Sequence, residues 1–359
     1  MNDYEIYKKA AQLLERGENI ALITVISTTG STPGKVGYKM LVWGENGKTI
    51  GTIGGGLIEA EIINIAKNVL PNTENQVCRF NLDGTQNDEK GICGGSIEFL
   101  IESFGKQSLP LFKELSVVIE KSGKGILFSI ISPKKSPEKI FLKNVERINT
   151  TTHISFTPEA IESIKNLIAE EQSAKKILED GAEIFIETIT EQPMVFIFGA
   201  GHLSYYISQY AKSLNFRVTV CDDRVEFANR ERFPDANNII VENFENIFDK
   251  IDIDKNSYIV IVTKGHKCDE IVLEKALKTD VKYIGMIGSK RKTLTILKKL
   301  SERGISEETL SRVYSPIGIS IGAVTPEEIA LSIVCELVKI RRLGHTPETN
   351  HMTIAFPNN

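Results

Sequence analysis

Cysteine is scarce and scattered: Cys78, Cys93, Cys221, Cys268 and Cys335 are the only five among 359 residues, and none forms a C-x-x-C pair. An odd number at wide spacing writes neither a disulfide framework nor a four-ligand zinc site, so a reducing cytoplasm is the expected home. No apolar run approaches the roughly 18 residues that span a bilayer. The polar, acidic opening Met1-Asn2-Asp3-Tyr4-Glu5 lacks the basic-then-apolar order of a signal peptide. No membrane partner is expected. Charge of one sign is not in excess either, since 43 Lys and Arg stand against 47 Asp and Glu, a formal charge of -4. Nucleic acid requires a dense basic face, so it is not expected as a partner and a small-molecule ligand is the better reading. Internal repeats and low-complexity tracts are missing as well. What is present is an ordinary globular composition, long enough for two domains with a core each.

The first half alternates helix and strand signals. Ile6, Ala10, Leu13 and Leu14 recur at helical spacing up to Gly17, and the apolar run Ile20 to Ile26 reads as a buried strand. Met40 to Trp43 and Thr49 to Thr52 flank Asn46-Gly47, a hairpin signal. A helix is predicted from Leu57 to Leu70, launched from Gly54-Gly55-Gly56 and stopped by Pro71. Short strands are predicted at 77–80, 97–101, 125–131, 139–142 and 184–188, with a helix over 158–169. Gln192-Pro193 marks a change of pattern. The division expected is an α+β domain over 1–190 and a second domain over 191–359. In the latter, strands at 194–198, 217–221, 258–262 and 283–287 alternate with helices, as in a parallel sheet of βαβ units. Thr325-Pro326-Glu327-Glu328 is a capping box opening the last helix. The fold class read here is α/β, a C-terminal Rossmann-like parallel sheet with a separate N-terminal α+β domain.

Several loops carry residues suited to chemistry. Gly199-Ala200-Gly201-His202-Leu203-Ser204 follows a strand and opens a helix, the context in which backbone amides approach a pyrophosphate. Asp222 follows at the spacing of a ribose-binding acid, although Ser204 replaces the third glycine. Nucleotide binding and a purely structural tight turn both remain open for this loop. The segments 263–269, 288–292 and 315–322 are expected at the same sheet edge. They offer Lys264, His266 with Asp269 as an oriented base, and Gly288-Ser289 with the cations Lys290 to Lys292 as an anion cradle. Helix capping and a solvated basic face are the structural alternatives. In the first half, Gly30-Ser31-Thr32-Pro33-Gly34-Lys35, Gly54-Gly55-Gly56 and Gly91-Ile92-Cys93-Gly94-Gly95 are glycine-rich loops. Ser31, Thr32 and Lys35 add hydroxyl donors and a cation, so a phosphate-bearing ligand fits. Cys93, set between glycines, is a candidate nucleophile and soft metal ligand; a small buried apolar role is the alternative.

Taken in order, these motifs resemble the xanthine dehydrogenase accessory protein family, XdhC/CoxI. The resemblance rests on 29–34, 54–59, Cys93-Gly94-Gly95, 198–202, Lys264-Gly265-His266, 283–289 and 316–330, and so covers nearly the whole chain. It implies a maturation factor that binds molybdenum cofactor (molybdopterin). Such a factor protects the cofactor while a cysteine desulfurase supplies its sulfido ligand, then passes it to a molybdenum hydroxylase client. It is a cofactor chaperone rather than a turnover enzyme, and a homodimer. Some members carry two adjacent cysteines before the Gly-Gly pair, whereas Ile92 precedes Cys93 here, so no vicinal thiol mechanism is implied. Cys93 would approach molybdenum or its sulfur, and Ser31, Thr32, Lys35, Gly54, Gly55, Gly56, Gly94 and Gly95 would grip the pterin phosphate. A cleft shared with Lys264, His266 and Ser289 is the expected place for the cofactor. Gly199, Gly201, His202, Asp222, Gly288 and Ser289 are the remaining candidate contacts, with NAD(P) or another nucleotide as a further ligand. The competing reading is an NAD(P)-dependent oxidoreductase with His266 or Lys264 as acid or base.

Overall fold

Periodicity becomes packing at once in helix α1 (Asp3–Glu15), whose residues Ile6, Tyr7, Ala10, Leu13 and Leu14 are buried along one stripe. The computed structural model of the chain describes residues 3–72, 74–82, 94–120, 123–131, 135–151, 156–170, 172–178 and 181–345. The chain divides into two compact units, Met1–Glu191 and Gln192–Asn359.

In the first unit, β1 (Ile20–Thr29) is the middle of a five-stranded antiparallel sheet. Its partners are β2 (Lys39–Trp43), β3 (Lys48–Gly51), β4 (Asn75–Asn81) and β5 (Ser96–Phe104), in the order β3-β2-β1-β5-β4. Ile20 and Leu22 join the core with Tyr7, Leu14 and Phe112, from α1 and α3 (Leu109–Glu120). Ala21, Ile23 and Val25 join another with Ile62 and Ala66 of α2 (Gly56–Val69). Cover on both faces explains why β1 is an unbroken apolar run rather than an alternating one. A second antiparallel sheet, ordered β7-β6-β9-β8, comprises β6 (Gly125–Ile131), β7 (Glu138–Leu142), β8 (Ala174–Ile177) and β9 (Glu183–Ile189). With it go α4 (Ile148–Thr151) and α5 (Pro158–Ala169), the latter capped by Thr157. Charged groups join the two sheets inside this unit: Lys39 Nζ lies 2.8 Å from Glu187, and Lys139 Nζ lies 2.8 Å from Glu102.

The second unit is a six-stranded parallel sheet of β10 (Met194–Phe198), β11 (Arg217–Asp222), β12 (Asn238–Val241), β13 (Tyr258–Ile261), β14 (Tyr283–Met286) and β15 (Val313–Tyr314). The order β12-β11-β10-β13-β14-β15, counted from the unit's first strand, is the doubly wound 3-2-1-4-5-6. Along β10, Val195 and Ile197 enter the core that includes α6 (His202–Ser213) and α10 (Pro326–Leu343). Phe196 and Phe198 enter the core of α7 (His266–Ala276) and α8 (Lys290–Glu302). A short α9 (Glu307–Leu310) precedes β15. The predicted capping box is present, with Thr325 accepting from the Glu328 amide at 3.3 Å. Several short or disguised elements were not foreseen, α3, β8, β12 and β15 among them. Helix α3 begins with a proline at its second position, which masked its apolar stripe. Strands β8, β12 and β15 are two to four residues long, too short to show a period.

Candidate functional site

Three glycine loops distant in sequence meet in the first unit. The loop after β1 touches the loop before α2 through Gly34, where an added Cβ would collide with the Ile53 carbonyl oxygen. It touches the loop before β5 through Gly95, where a Cβ would stand 2.6 Å from the Ser31 carbonyl oxygen. Side chains at these contacts would force the loops apart. Thr32 is buried and donates to the Gly34 carbonyl at 2.8 Å, and Thr29 and Ser96 hydroxyls share a 2.8 Å bond. By contrast, among the described residues and apart from chain neighbours and, for Gly56, its own helix, no heavy atom lies within 4 Å of the Cβ position of Gly55, Gly56 or Gly94, so those three leave room beside the backbone. Ser31 and Lys35, in the loop after β1, are exposed. Cys93, next in the chain before Gly94, lies outside the described residues.

Sequence reasoning did not single out the residue that organises this place. Glu59, in the first turn of α2, accepts from Thr52 Oγ1 at 2.7 Å and from the Ile53 and Gly55 amides at 3.0 Å each. Gly54 N in turn donates to Thr52 Oγ1 at 3.2 Å. The amides of Gly54 and Gly55, expected to cradle a phosphate, are therefore already satisfied inside the protein. The available signal was a carboxylate four residues after Gly55, positioned by the helix start to face the loop's amides.

In the second unit, the loops after β10, β11, β13 and β14 lie at the carboxyl edge of the sheet, where ligands collect in open α/β folds. A Cβ on Gly199 would strike the Val262 carbonyl, so this glycine serves close strand packing. Gly201 caps α6 with open space around it, and His202 beside it is exposed. Asp222 is buried and accepts from the Ala200 amide at 2.7 Å. It also accepts from Arg224 N at 3.0 Å, Nε at 2.9 Å and Nη2 at 3.0 Å. Burial pushes this carboxyl up, but the Arg224 guanidinium and the Ala200 amide outweigh it and hold the group below the usual carboxylate range. Lys264 pairs with Asp223 at 3.2 Å.

Asp269 does not orient His266. Its carboxylate is fully buried and accepts from Thr263 Oγ1 at 2.7 Å and from Lys292 Nζ, while His266 and Ser289 are exposed. The three-residue spacing alone would allow the two to meet, but Thr263 and, from α8, Lys292 hold the Asp269 carboxylate in the interior while His266, opening α7, is exposed. Ser289 caps α8 by accepting from the Lys292 amide at 3.3 Å, and Gly288 packs near the Lys292 stem. Glu336 on α10 was also not foreseen; it accepts from the Gly318 amide at 2.9 Å and from the Tyr283 hydroxyl, fixing the loop after β15. Burial pushes up the thiols of Cys78, Cys221 and Cys268, which makes them weak nucleophiles. Among the described residues no cluster of three or more His, Cys, Asp or Glu is placed to hold a metal, and no helix is long and apolar enough to cross a membrane.

Two family models match this chain in order, one in each unit: the XdhC and CoxI family over residues 13–81, and the XdhC Rossmann domain over 195–337. The chain belongs to the XdhC/CoxI family. It is similar over most of its length to a probable xanthine dehydrogenase subunit of Bacillus subtilis, 24% identical with 92% of this chain and 96% of that protein covered. An uncharacterized protein YqeB of Escherichia coli is 32% identical over 159 residues, 44% of this chain and 29% of that protein. This XdhC/CoxI chain therefore spans less than a third of YqeB. Among solved structures, a xanthine dehydrogenase from Bacillus halodurans superposes with a TM-score of 0.79 at 25% identity, covering 97% of this chain and 99% of that one. The XdhC Rossmann match takes in the sheet edge from Gly199 to Glu336, while the other model stops short of Cys93 and its flanking glycines.

Proposed function

We propose that this chain is an accessory protein of a xanthine dehydrogenase-type molybdenum hydroxylase. It binds molybdenum cofactor in its first unit, supports sulfuration of the cofactor in concert with a cysteine desulfurase, and delivers it to the client. The observation that carries the reading is the meeting of the three glycine loops, which among the described residues leaves room beside the backbone at Gly55, Gly56 and Gly94, the last directly after Cys93 in the chain. Ser31 and Lys35 supply a hydroxyl and a cation for the pterin phosphate, in place of the amides that Glu59 occupies. Cys93 supplies a soft ligand for molybdenum or sulfur. The doubly wound strand order and the glycine loop at Gly199 to Gly201 support a separate nucleotide site, for NAD(P) or another nucleotide, at the edge of the second unit. We read the protein as a cytoplasmic homodimer.

The test is to purify the full chain without oxygen from a molybdate-replete host and identify what it retains by mass spectrometry. Molybdopterin is expected. Retention of NAD(P) with no molybdopterin would favour an oxidoreductase that uses His266 or Lys264 as acid or base. Cys93→Ser is expected to keep the fold and lose client maturation, because a hydroxyl is a harder ligand; client activity equal to that of the unaltered chain would remove Cys93 from the mechanism. Sedimentation of the purified chain checks the dimer.

A further inference from the structure

The second unit's sheet edge distinguishes between nucleotides, by an inference that rests on reading that edge as a nucleotide site. In doubly wound folds the acid ending the second strand accepts from the ribose 2′-hydroxyl of an unphosphorylated dinucleotide. Here that acid is Asp222, 1% exposed. Its two oxygens already receive four donors, from Ala200 N and from Arg224 N, Nε and Nη2. A carboxylate offers about four lone-pair sites, so a ribose hydroxyl finds no acceptor there.

Cations stand ready in the acid's place. The chelate with Asp222 uses the Nε and Nη2 side of Arg224 and leaves the Nη1 protons without an acceptor on that carboxylate. The same guanidinium lies 4.0 Å from the centre of the Phe227 ring, and the Arg232 guanidinium lies 5.0 Å from that ring centre. Phe227 N donates to the Arg224 carbonyl at 3.1 Å, and Arg232 N donates to Asn229 Oδ1 at 3.1 Å, so short turns fix both arginines on one ring. Among the described residues the Arg232 guanidinium has no hydrogen bond or ion pair of its own. Lys264, from the loop after β13, reaches the same segment through its exposed pair with Asp223, a contact weak enough to yield to a stronger anion.

We propose that this edge selects adenine nucleotides bearing a phosphate on the ribose 2′-oxygen, which Arg224 and Arg232 grip, over those with a free 2′-hydroxyl. A phosphate brings close to two negative charges and several strong acceptors, matching the unused guanidinium donors, and it asks nothing of Asp222.

The experiment is calorimetry of the full chain with NADP, NAD, 2′,5′-ADP and 5′-AMP, repeated with Arg232→Gln, which leaves every Asp222 bond in place. NADP is expected to bind about 10- to 100-fold more tightly than NAD, and 2′,5′-ADP than 5′-AMP, with most of that margin lost in Arg232→Gln. NAD binding as tightly as NADP overturns the selectivity while leaving the nucleotide site standing. A margin unchanged by Arg232→Gln overturns the assignment to Arg232. Binding of none of the four ligands overturns both this inference and the nucleotide site it rests on.

Discussion

Glu59 and Asp222 act alike at two separate loops: each turns a side-chain carboxylate onto the backbone amides of a glycine segment and so fixes a conformation that glycine alone leaves loose. Glu59→Ala strands the Thr52 hydroxyl and two amides, and is expected to cost about 1–3 kcal/mol in denaturant unfolding. Molybdopterin retention should fall with it, since the loop bordering Gly56 loses its anchor. Glu59→Gln keeps an acceptor and should lose less on both measures. At Asp222 the folded carboxyl sits below its ordinary value. Its contribution is therefore complete above the unfolded pKa of about 3.9 and fades as pH falls through the lower folded value. Asp222→Asn is expected to flatten the acid limb of a melting temperature against pH curve, and an unchanged limb would show that the chelate adds nothing.

Strands and helices bring the loops together, so the elements decide which glycines are replaceable. Gly34→Ala drives a methyl group into the Ile53 carbonyl and should cost on the order of 1–3 kcal/mol as the two loops separate. Gly201→Ala meets open space at an ordinary backbone angle, φ -75°; it should leave the melting temperature nearly unchanged while lowering affinity for whatever nucleotide the edge binds. Thermal melts of the two variants side by side separate a packing glycine from a ligand-facing one. The strands β1, β10 and β13 were legible as continuous apolar runs, and α1 and α2 as apolar stripes at helical period. Edge strands β12 and β15, four and two residues long, are too short to leave such a mark.

At the scale of the molecule, the two sheets of the first unit are tied by charges withdrawn from water. Lys39 and Glu187 have side chains 2% and 1% exposed, so removing Glu187 leaves the buried Lys39 ammonium with only the partly exposed Asp3 carboxylate, 3.1 Å away, as counter-ion. Glu187→Gln is expected to destabilise the protein by about 3–5 kcal/mol, more than any surface ion pair. Burial pushes the Glu187 carboxyl up, but Lys39 and Lys139 outweigh it and leave it below the usual range. Its contribution is thus present above the ordinary carboxylate pKa and lost as pH falls through the folded value. Burial holds Glu102 above its ordinary value, which has the reverse sign: its ionisation costs stability as pH rises through that raised value. Chemical unfolding across the acid range should therefore show a shallower loss in Glu187→Gln than in the unaltered chain.

Composition and pattern by themselves determined that this is an α/β chain with a parallel C-terminal sheet, and the ordered glycine motifs determined its family. Both are written in runs of neighbouring residues, through hydrophobic period and turn chemistry. Which donors and acceptors are already spent was decided only in three dimensions. Asp222 looks free in sequence yet is saturated by Arg224 and Ala200, Asp269 turns to Lys292 instead of His266, and Glu59 fills amides that seemed reserved for phosphate. The reason is that a hydrogen bond depends on separations of about 3 Å, and only packing sets those between residues that sequence holds apart.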